Sequence, residues 1–169
     1  QFQLIAGGRG AVSPRGHGSA GSEVFWMGQG GPVTSRGAEG ENLADIVGCN
    51  RLFRGEEWIS PASLADCVAC AVGEFEGYMF GNLTVNGAGN HWLLFTRRPQ
   101  VGFWIMDGQE MSSNLLAYRD DEGRDVILVG DGHDGRVKRL LAPGVLQDVQ
   151  AASDTAADYT CAWRGGWDW

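Results

Sequence analysis

Long apolar runs and clustered basic residues are both missing from this sequence. No stretch approaches the roughly 18 consecutive apolar residues of a membrane-spanning helix. Lys and Arg together number 13, against 21 Asp and Glu, which gives a formal net charge of −8. Because the binding of phosphates needs clustered Lys and Arg, this balance argues against nucleic acid as a partner. We therefore expect no nucleic-acid and no membrane partner, and an acidic domain suits a basic partner.

Cysteine is scarce, with four residues in the chain: Cys49, Cys67, Cys70 and Cys161. Four cysteines could form two disulfides, but the chain is not a small, cysteine-dense scaffold. No second CxxC or CxxH accompanies Cys67 and Cys70, so the pair alone cannot form a four-ligand zinc site. A redox pair would need the preceding strand and the flanking residues of thioredoxin-like proteins, which are missing. Cys70 is therefore interpreted as a small buried residue, and we expect neither a metal nor a cofactor.

The chain begins with Gln1 and shows no signal peptide, so we expect a processed product or a domain of a larger protein. Its 169 residues predict a single domain that spans residues 1–169. Gly, Ser and Arg are frequent at the start, and residues 1–22 are predicted to form a loosely ordered arm. The tail YTCAWRGGWDW, residues 159–169, carries three of the seven tryptophans, so we expect it to dock on the body.

Helices are predicted where apolar side chains recur at helical spacing. One such segment is residues 41–53, and the other is residues 60–77, SPASLADCVACAVGEFEG. The second begins with Ser-Pro, a helix-start signal, and ends at a glycine. This helix would place Cys67 near its start. A brief helix or turn is predicted for residues 112–118, and a short helix for residues 143–154.

Strands are predicted as two hairpins. Residues 91–95 and 101–106 are apolar and aromatic runs around a turn, and residues 125–129 and 136–141 flank a second turn. The stretch GQGGP, residues 28–32, is a turn signal that does not lead from a strand into a helix, so it does not predict a phosphate loop. Together these segments predict an α+β fold in which a helix packs on an antiparallel β-sheet.

A thiol, an imidazole and a carboxylate follow one another on these predicted elements. Cys67 lies at the helix start, where the helix N-terminus and a nearby imidazolium would stabilise its thiolate. His91 opens the first strand and would act as general base and acid. Asp107 closes the second strand, beside His91 across the hairpin, and would orient the imidazole. This order is typical of a papain-like cysteine enzyme, with a nucleophile helix packed on the sheet.

Three short stretches also carry a family resemblance: Asp66-Cys67-Val68-Ala69-Cys70, Asn90-His91-Trp92 and Asp107-Gly108-Gln109. They resemble the Asn-Cys-x-x-Cys, Gly-His-hydrophobic and Asp-x-Gln patterns of papain-fold toxin domains of bacterial polymorphic toxins, of the glutamine deamidase type. The resemblance covers about residues 63–110. It departs from the pattern where Asp66 replaces Asn and Asn90 replaces Gly. A carboxylate beside the nucleophile would oppose thiolate formation unless it points away.

The resemblance implies a papain-like fold with Cys67 as nucleophile, His91 as base and Asp107 as the residue that orients it. Four neighbours become candidates for substrate binding or for the oxyanion site: Asp66, Asn90, Trp92 and Gln109. No upstream Gln can be assigned as an oxyanion donor, so backbone N–H groups near Cys67 are the default candidates.

The implied activity is a cysteine-dependent amide hydrolase that deamidates glutamine side chains of a target protein. A thioester would form at Cys67 with loss of ammonia, and water would then release glutamate. The resemblance further implies a secreted or delivered effector that acts in the cytoplasm of a target cell, with a protein substrate and a cognate immunity protein.

Two other functions stay open on the sequence. The same residues would serve a papain-like cysteine protease, bacterial or viral, that processes its own polyprotein. The third possibility is a non-catalytic binding module whose apolar strands carry a surface for a partner.

Overall fold

The structure is a computed structural model, and it describes residues 10–37, 39–53, 58–106, 112–131, 135–140, 147–150 and 155–158. These residues form thirteen β-strands, one short α-helix and three short 3₁₀ helices. The strands are β1 His17–Ala20, β2 Glu23–Gly28, β3 Gly31–Ser35, β4 Glu41–Asn42, β5 Val68–Val72, β6 Gly77–Val85, β7 Ala88–Thr96, β8 Gly102–Met106, β9 Ser112–Arg119, β10 Asp125–Asp131, β11 Val137–Leu140, β12 Gln147–Gln150 and β13 Thr155–Asp158. The helices are α1 Leu43–Val47 and the 3₁₀ helices Asn50–Phe53, Pro61–Asp66 and Gly73–Phe75.

The predicted α+β class and its papain-like architecture are wrong, because the described chain is mostly antiparallel β-sheet. The predicted nucleophile helix over residues 60–77 does not form. A 3₁₀ helix ends at Asp66, strand β5 follows directly after Cys67, and a second 3₁₀ helix follows β5. Strand β5 is buried on both faces, so its sequence VACAV shows no alternation of apolar and polar residues that would distinguish a strand from a helix.

The other predicted elements fare differently. Of the helix predicted over residues 41–53, only α1 forms as an α-helix. Asn42 caps it by accepting a hydrogen bond from the Ala44 N–H at 2.8 Å. Gly48 ends α1 in the left-handed conformation, at φ 79°. The stretch predicted as a brief helix or turn is strand β9, and part of the helix predicted near the C-terminus is strand β12. Both predicted hairpins are confirmed, as β7–β8 and β10–β11. In the described segments, no helix is long and apolar enough to cross a membrane.

The strands form antiparallel sheets that follow one another along the chain. The first sheet has the order β1-β2-β3-β4, the second β5-β6-β7-β8, the third β11-β10-β9, and β12 pairs with β13. Strand β5 contacts both β1 and β9, the first strands of the neighbouring sheets. The Ala69 N–H also donates to the Arg15 carbonyl at 3.1 Å, next to a parallel bridge. The first three sheets are thus successive antiparallel meanders whose first strands, β1, β5 and β9, lie side by side.

A first hydrophobic core fills the space between the first and second sheets. Phe25 and Met27 of β2 meet Tyr78 and Phe80 of β6 and Phe95 of β7, all nearly inaccessible to solvent. The rings of Phe25 and Tyr78 stack with their centroids 4.1 Å apart. Each such side chain contributes about 1.5–3 kcal/mol by leaving water, so this core is a main support of the fold.

A second core lies on the other face of the second sheet, against the third sheet. Met79 and Trp92 pack there with Ile127 and Val129 of β10. Because successive strand residues point to opposite faces, Met79 enters the second core while its neighbour Phe80 enters the first. The second sheet is therefore a central layer, buried on both sides.

A polar cluster also joins the first two sheets. Arg97, which follows β7, binds both carboxylate oxygens of Glu23 on β2, at 2.7 and 3.1 Å. Thr34 Oγ1 donates to Glu23 at 2.5 Å, and Arg97 donates to the hydroxyl of Tyr78 at 3.0 Å. Burial alone would raise the pKa of Glu23, but these hydrogen bonds and the charge of Arg97 hold it below its ordinary value.

Candidate functional site

Cys67, the predicted nucleophile, is fully buried in the first core, with a side chain that is 0% exposed. Its Sγ donates a weak hydrogen bond to the Val68 carbonyl at 3.4 Å, and its own carbonyl accepts from Ser13 Oγ at 2.6 Å. Burial raises the pKa of the thiol to about 12, against a smaller opposing effect of a backbone hydrogen bond at Gly81. In this environment the thiol is protonated at neutral pH.

Cys70, the second cysteine of the CxxC pair, faces away from Cys67. It belongs to the second core, whereas Cys67 belongs to the first, so the central sheet separates the two thiols. Burial raises the pKa of Cys70 to about 12 and that of Cys49 to about 11. Cys49, Cys67 and Cys70 are all free and buried, and Cys161 lies outside the described residues.

His91, the predicted base, lies on β7, where it pairs with Leu83 of β6. Strand β6 lies between β7 and β5. His91 on β7 and Cys67 next to β5 are therefore on opposite sides of β6. Two inter-strand spacings put the backbones of β5 and β7 roughly 9–10 Å apart. Asp107 lies outside the described residues. The structure thus does not bring Cys67 and His91 into adjacent strands, and the complete triad stays a prediction.

The four predicted neighbours are scattered. Asp66 is exposed, and its carbonyl accepts a hydrogen bond from Asn82 Nδ2 at 3.2 Å. Asn90 is exposed in the left-handed conformation, at φ 63°. Trp92 is 1% exposed and packs in the second core, on the side of the sheet away from Cys67. Gln109 lies outside the described residues.

A different feature, an open cleft of about 670 Å³, lies at one end of the first sheet. Its walls are the segment before β1, the turn between β2 and β3, helix α1 and the 3₁₀ helix that follows. The polar side chains among its lining residues are Gln29, Asn42, Asp45 and Asn50. Across the residues searched, no group of three or more His, Cys, Asp or Glu could hold a metal ion.

Local sequence explains how the walls of the cleft are held. Gly31 takes φ 111°, and a Cβ atom there would touch the ring of Phe53, so glycine lets the turn after β2 approach the 3₁₀ helix. Asn42 Nδ2 donates to the Gly30 carbonyl at 3.0 Å while its Oδ1 caps α1. One amide side chain thus fixes the turn and the helix relative to each other.

The lining determines which ligands the cleft could accept. The side-chain amides of Gln29 and Asn50 have no hydrogen bond to another residue within the described part of the chain. Asp45 is the one ionisable side chain among the described lining residues. A carboxamide offers both a donor and an acceptor, so the cleft presents groups that match an uncharged polar ligand and disfavour an anion.

Sequence reasoning did not find this cleft. Gln29 belongs to a stretch predicted only as a turn, and Asn42 and Asn50 fell within one predicted helix. The signal in the sequence was the run of Gly residues around Gln29. It indicates a tight turn, but it does not indicate which segment packs against that turn. The cleft arises only when the β2–β3 hairpin packs against residues more than ten positions later.

Two places in the described chain therefore bear on function, the buried thiol of Cys67 and the cleft beside Gln29. The first was predicted from the sequence as a nucleophile, and the second was not predicted. No protein-family model, curated protein or solved structure matches this chain.

Proposed function

We propose that the protein is a binding module that holds a polar, non-anionic segment of a protein partner in the cleft. The observation that carries this proposal is the pair of amides, Gln29 and Asn50, that line the cleft without an internal hydrogen bond among the described residues. A carboxamide pairs with a peptide group through one donor and one acceptor, so these amides suit the backbone of a bound peptide.

The size and composition of the cleft support the same function. Its volume of about 670 Å³ lies in the range of roughly 300–1,000 Å³ that is usual for ligand sites. Val12, Val33 and Pro61 add apolar surface beside the polar groups, the mixture expected where a ligand is both desolvated and oriented. The net charge of −8 favours a neutral or basic segment over an acidic one.

The cysteine-dependent amide hydrolase, with its protease alternative, stays a prediction, as do the delivered effector and the immunity protein. Binding is proposed first because of the surroundings of Cys67. Because burial raises its pKa to about 12, the thiol stays protonated at pH 7. Catalysis would require Cys67 to leave the first core, since a nucleophile must reach its substrate.

Selection from a random heptapeptide library on the immobilised protein tests the binding site. We expect the enriched peptides to bind Gln29→Ala and Asn50→Ala about 3- to 10-fold more weakly, since each variant loses a hydrogen bond worth about 1 kcal/mol. Gln100→Ala is the matched control, because Gln100 is an exposed turn residue outside the cleft lining. Equal binding by all three variants would rule out the cleft.

The same peptides distinguish binding from catalysis. After incubation with the protein, an increase of about one dalton without cleavage indicates deamidation, and new termini indicate proteolysis. If either change occurs with the wild type and is lost in Cys67→Ser, the protein is a cysteine hydrolase. Unchanged peptides that still bind support a module without catalytic activity.

A further inference from the structure

Asp45 is the charged side chain of the cleft that is proposed above to bind a protein partner. It lies on α1, it is exposed, and no Lys or Arg is among the described lining residues. A cationic group that enters the cleft therefore meets a carboxylate and no charge of its own sign. Electrostatic complementarity of this kind determines which partner a surface selects more than how tightly the partner binds.

The carboxylate of Asp45 has the capacity to bind a cation. Asp45 already interacts with another group of the chain. An ionised carboxylate acts only as an acceptor, with two oxygens and about four lone-pair positions, so it can receive a further donor. An ammonium or guanidinium group would form a charge-assisted hydrogen bond there, which is stronger than a hydrogen bond between neutral groups.

The apolar part of the lining restricts which cation suits the cleft. Val12, Phe53 and Pro61 line it together with Asp45. Lys and Arg lay their aliphatic stems along apolar surface while the charged head group reaches a polar partner. A long basic side chain therefore matches both parts of the lining, whereas a small cation would leave the apolar part in contact with water.

The two amides of the lining have a different role. Gln29 and Asn50 each offer a donor and an acceptor, which suit the uncharged backbone of the same bound segment. On the basis of the binding function above, we propose that the cleft selects a segment of a protein partner that carries a Lys or Arg side chain. Asp45 determines this specificity, and the amides hold the backbone whatever the side chain.

Matched peptides test this specificity. Each peptide that the wild type enriches from the random heptapeptide library and that contains Lys or Arg is resynthesised with norleucine, which keeps an apolar stem and lacks the charge. We expect norleucine to weaken binding to the wild type about 3- to 5-fold, the effect of one exposed ion pair. About 500 mM NaCl should reduce this difference, because salt screens the charges.

Two variants assign the effect to Asp45. Asp45→Asn should bind the basic and norleucine forms alike, with the affinity that the wild type has for the norleucine form. Asp121→Asn is the matched control, since it removes the same charge from an exposed turn between β9 and β10, outside the cleft lining. It should keep the preference of the wild type, because the net charge of −8 is then changed without a change in the cleft.

Charge reversal provides a further variant, since Asp45→Lys should prefer a glutamate form of the same peptide to its lysine form, which a loss of folding could not produce. Enriched peptides without Lys or Arg, or a norleucine effect that Asp45→Asn retains, would overturn the specificity and leave the binding function in place. An equal loss of preference in Asp121→Asn would assign the preference to net charge and overturn the role of Asp45. A library from which no peptide is enriched would overturn the binding function as well.

Discussion

At the scale of single residues, the thiol of Cys67 and the side-chain amide of Gln29 are both candidate functional groups. Their surroundings distinguish them. Cys67 has no exposed surface and an elevated pKa, whereas Gln29 is exposed at the rim of the cleft. The residue types alone predicted a nucleophilic enzyme, since a thiol and an imidazole are typical of one, and that function stays a prediction. They said nothing about burial, which depends on which strands pack above each position.

Alkylation tests the state of Cys67 directly. We expect iodoacetamide to modify it slowly in the native protein at neutral pH, because burial raises the pKa of the thiol to about 12 and so lowers the fraction of thiolate that can react. Mapping the modified cysteines by mass spectrometry, with and without denaturant, gives the measurement. Cys49 and Cys70, which are also buried, serve as internal references. Rapid modification of Cys67 alone at mildly acidic pH would instead support its role as the nucleophile.

At the scale of single elements, the second sheet shows how far the sequence could predict the fold. Strands β7 and β8 were found because aromatic and apolar runs flank an obvious turn. Strand β5 was mistaken for a helix because its residues alternate between two apolar cores, which removes the polar positions that reveal a strand. The sequence of β5 could be recognised as a strand only if it were known that other sheets cover both of its faces.

The cleft also could not be predicted from the sequence, because it too depends on tertiary contacts. Asn42 was placed inside a helix by apolar spacing, yet it is the residue that begins α1 and anchors the turn at Gly30. Capping residues are recognisable in a sequence, but their second hydrogen bond depends on the tertiary contact. Gln29 and Asn50 line the same cleft because of that contact and not because of their spacing in the chain.

The link between strand β2 and the segment after β7 gives a test at the same scale. We expect Glu23→Gln to lower the free energy of unfolding by about 2–3 kcal/mol at pH 7, because Arg97 loses its charged partner in a mostly buried site. The pKa of Glu23 is depressed in the folded state, so its contribution is complete above its ordinary pKa of 4.5. The contribution is lost as the pH falls through the folded-state pKa.

Urea unfolding of the wild type and Glu23→Gln between pH 3 and 8 measures this difference. The two stabilities should converge at the acid end and stay parallel above about pH 5. Glu76→Gln is the control, because the pair of Glu76 with Arg98 is largely exposed and should contribute less than about 1 kcal/mol. A difference that persists unchanged to pH 3, or an equal cost for the control, would contradict the role of the buried pair.

In the described part of the chain, the first three sheets lie one after another with a separate hydrophobic core between each pair. The second sheet contributes to both cores, while the first and third sheets contribute to one each. Local opening in a protein follows the contacts that hold each unit, so the outer sheets should open without one another. The proposed binding of a partner in the cleft would then need opening of the first sheet alone.

Two adjacent residues of β6 test this layered organisation, because Phe80 points into the first core and Met79 into the second. Each alanine variant should lose about 2–5 kcal/mol of stability through the cavity that it leaves. Hydrogen exchange followed by mass spectrometry should show faster exchange in β2 for Phe80→Ala, and faster exchange in β10 for Met79→Ala, relative to wild type. The second half of strand β7, Trp92 to Thr96, is buried on both faces and should be the slowest to exchange in both variants. If the two variants accelerate the same strands, the cores are one cooperative unit, and the cleft on the first sheet cannot open independently of the third sheet.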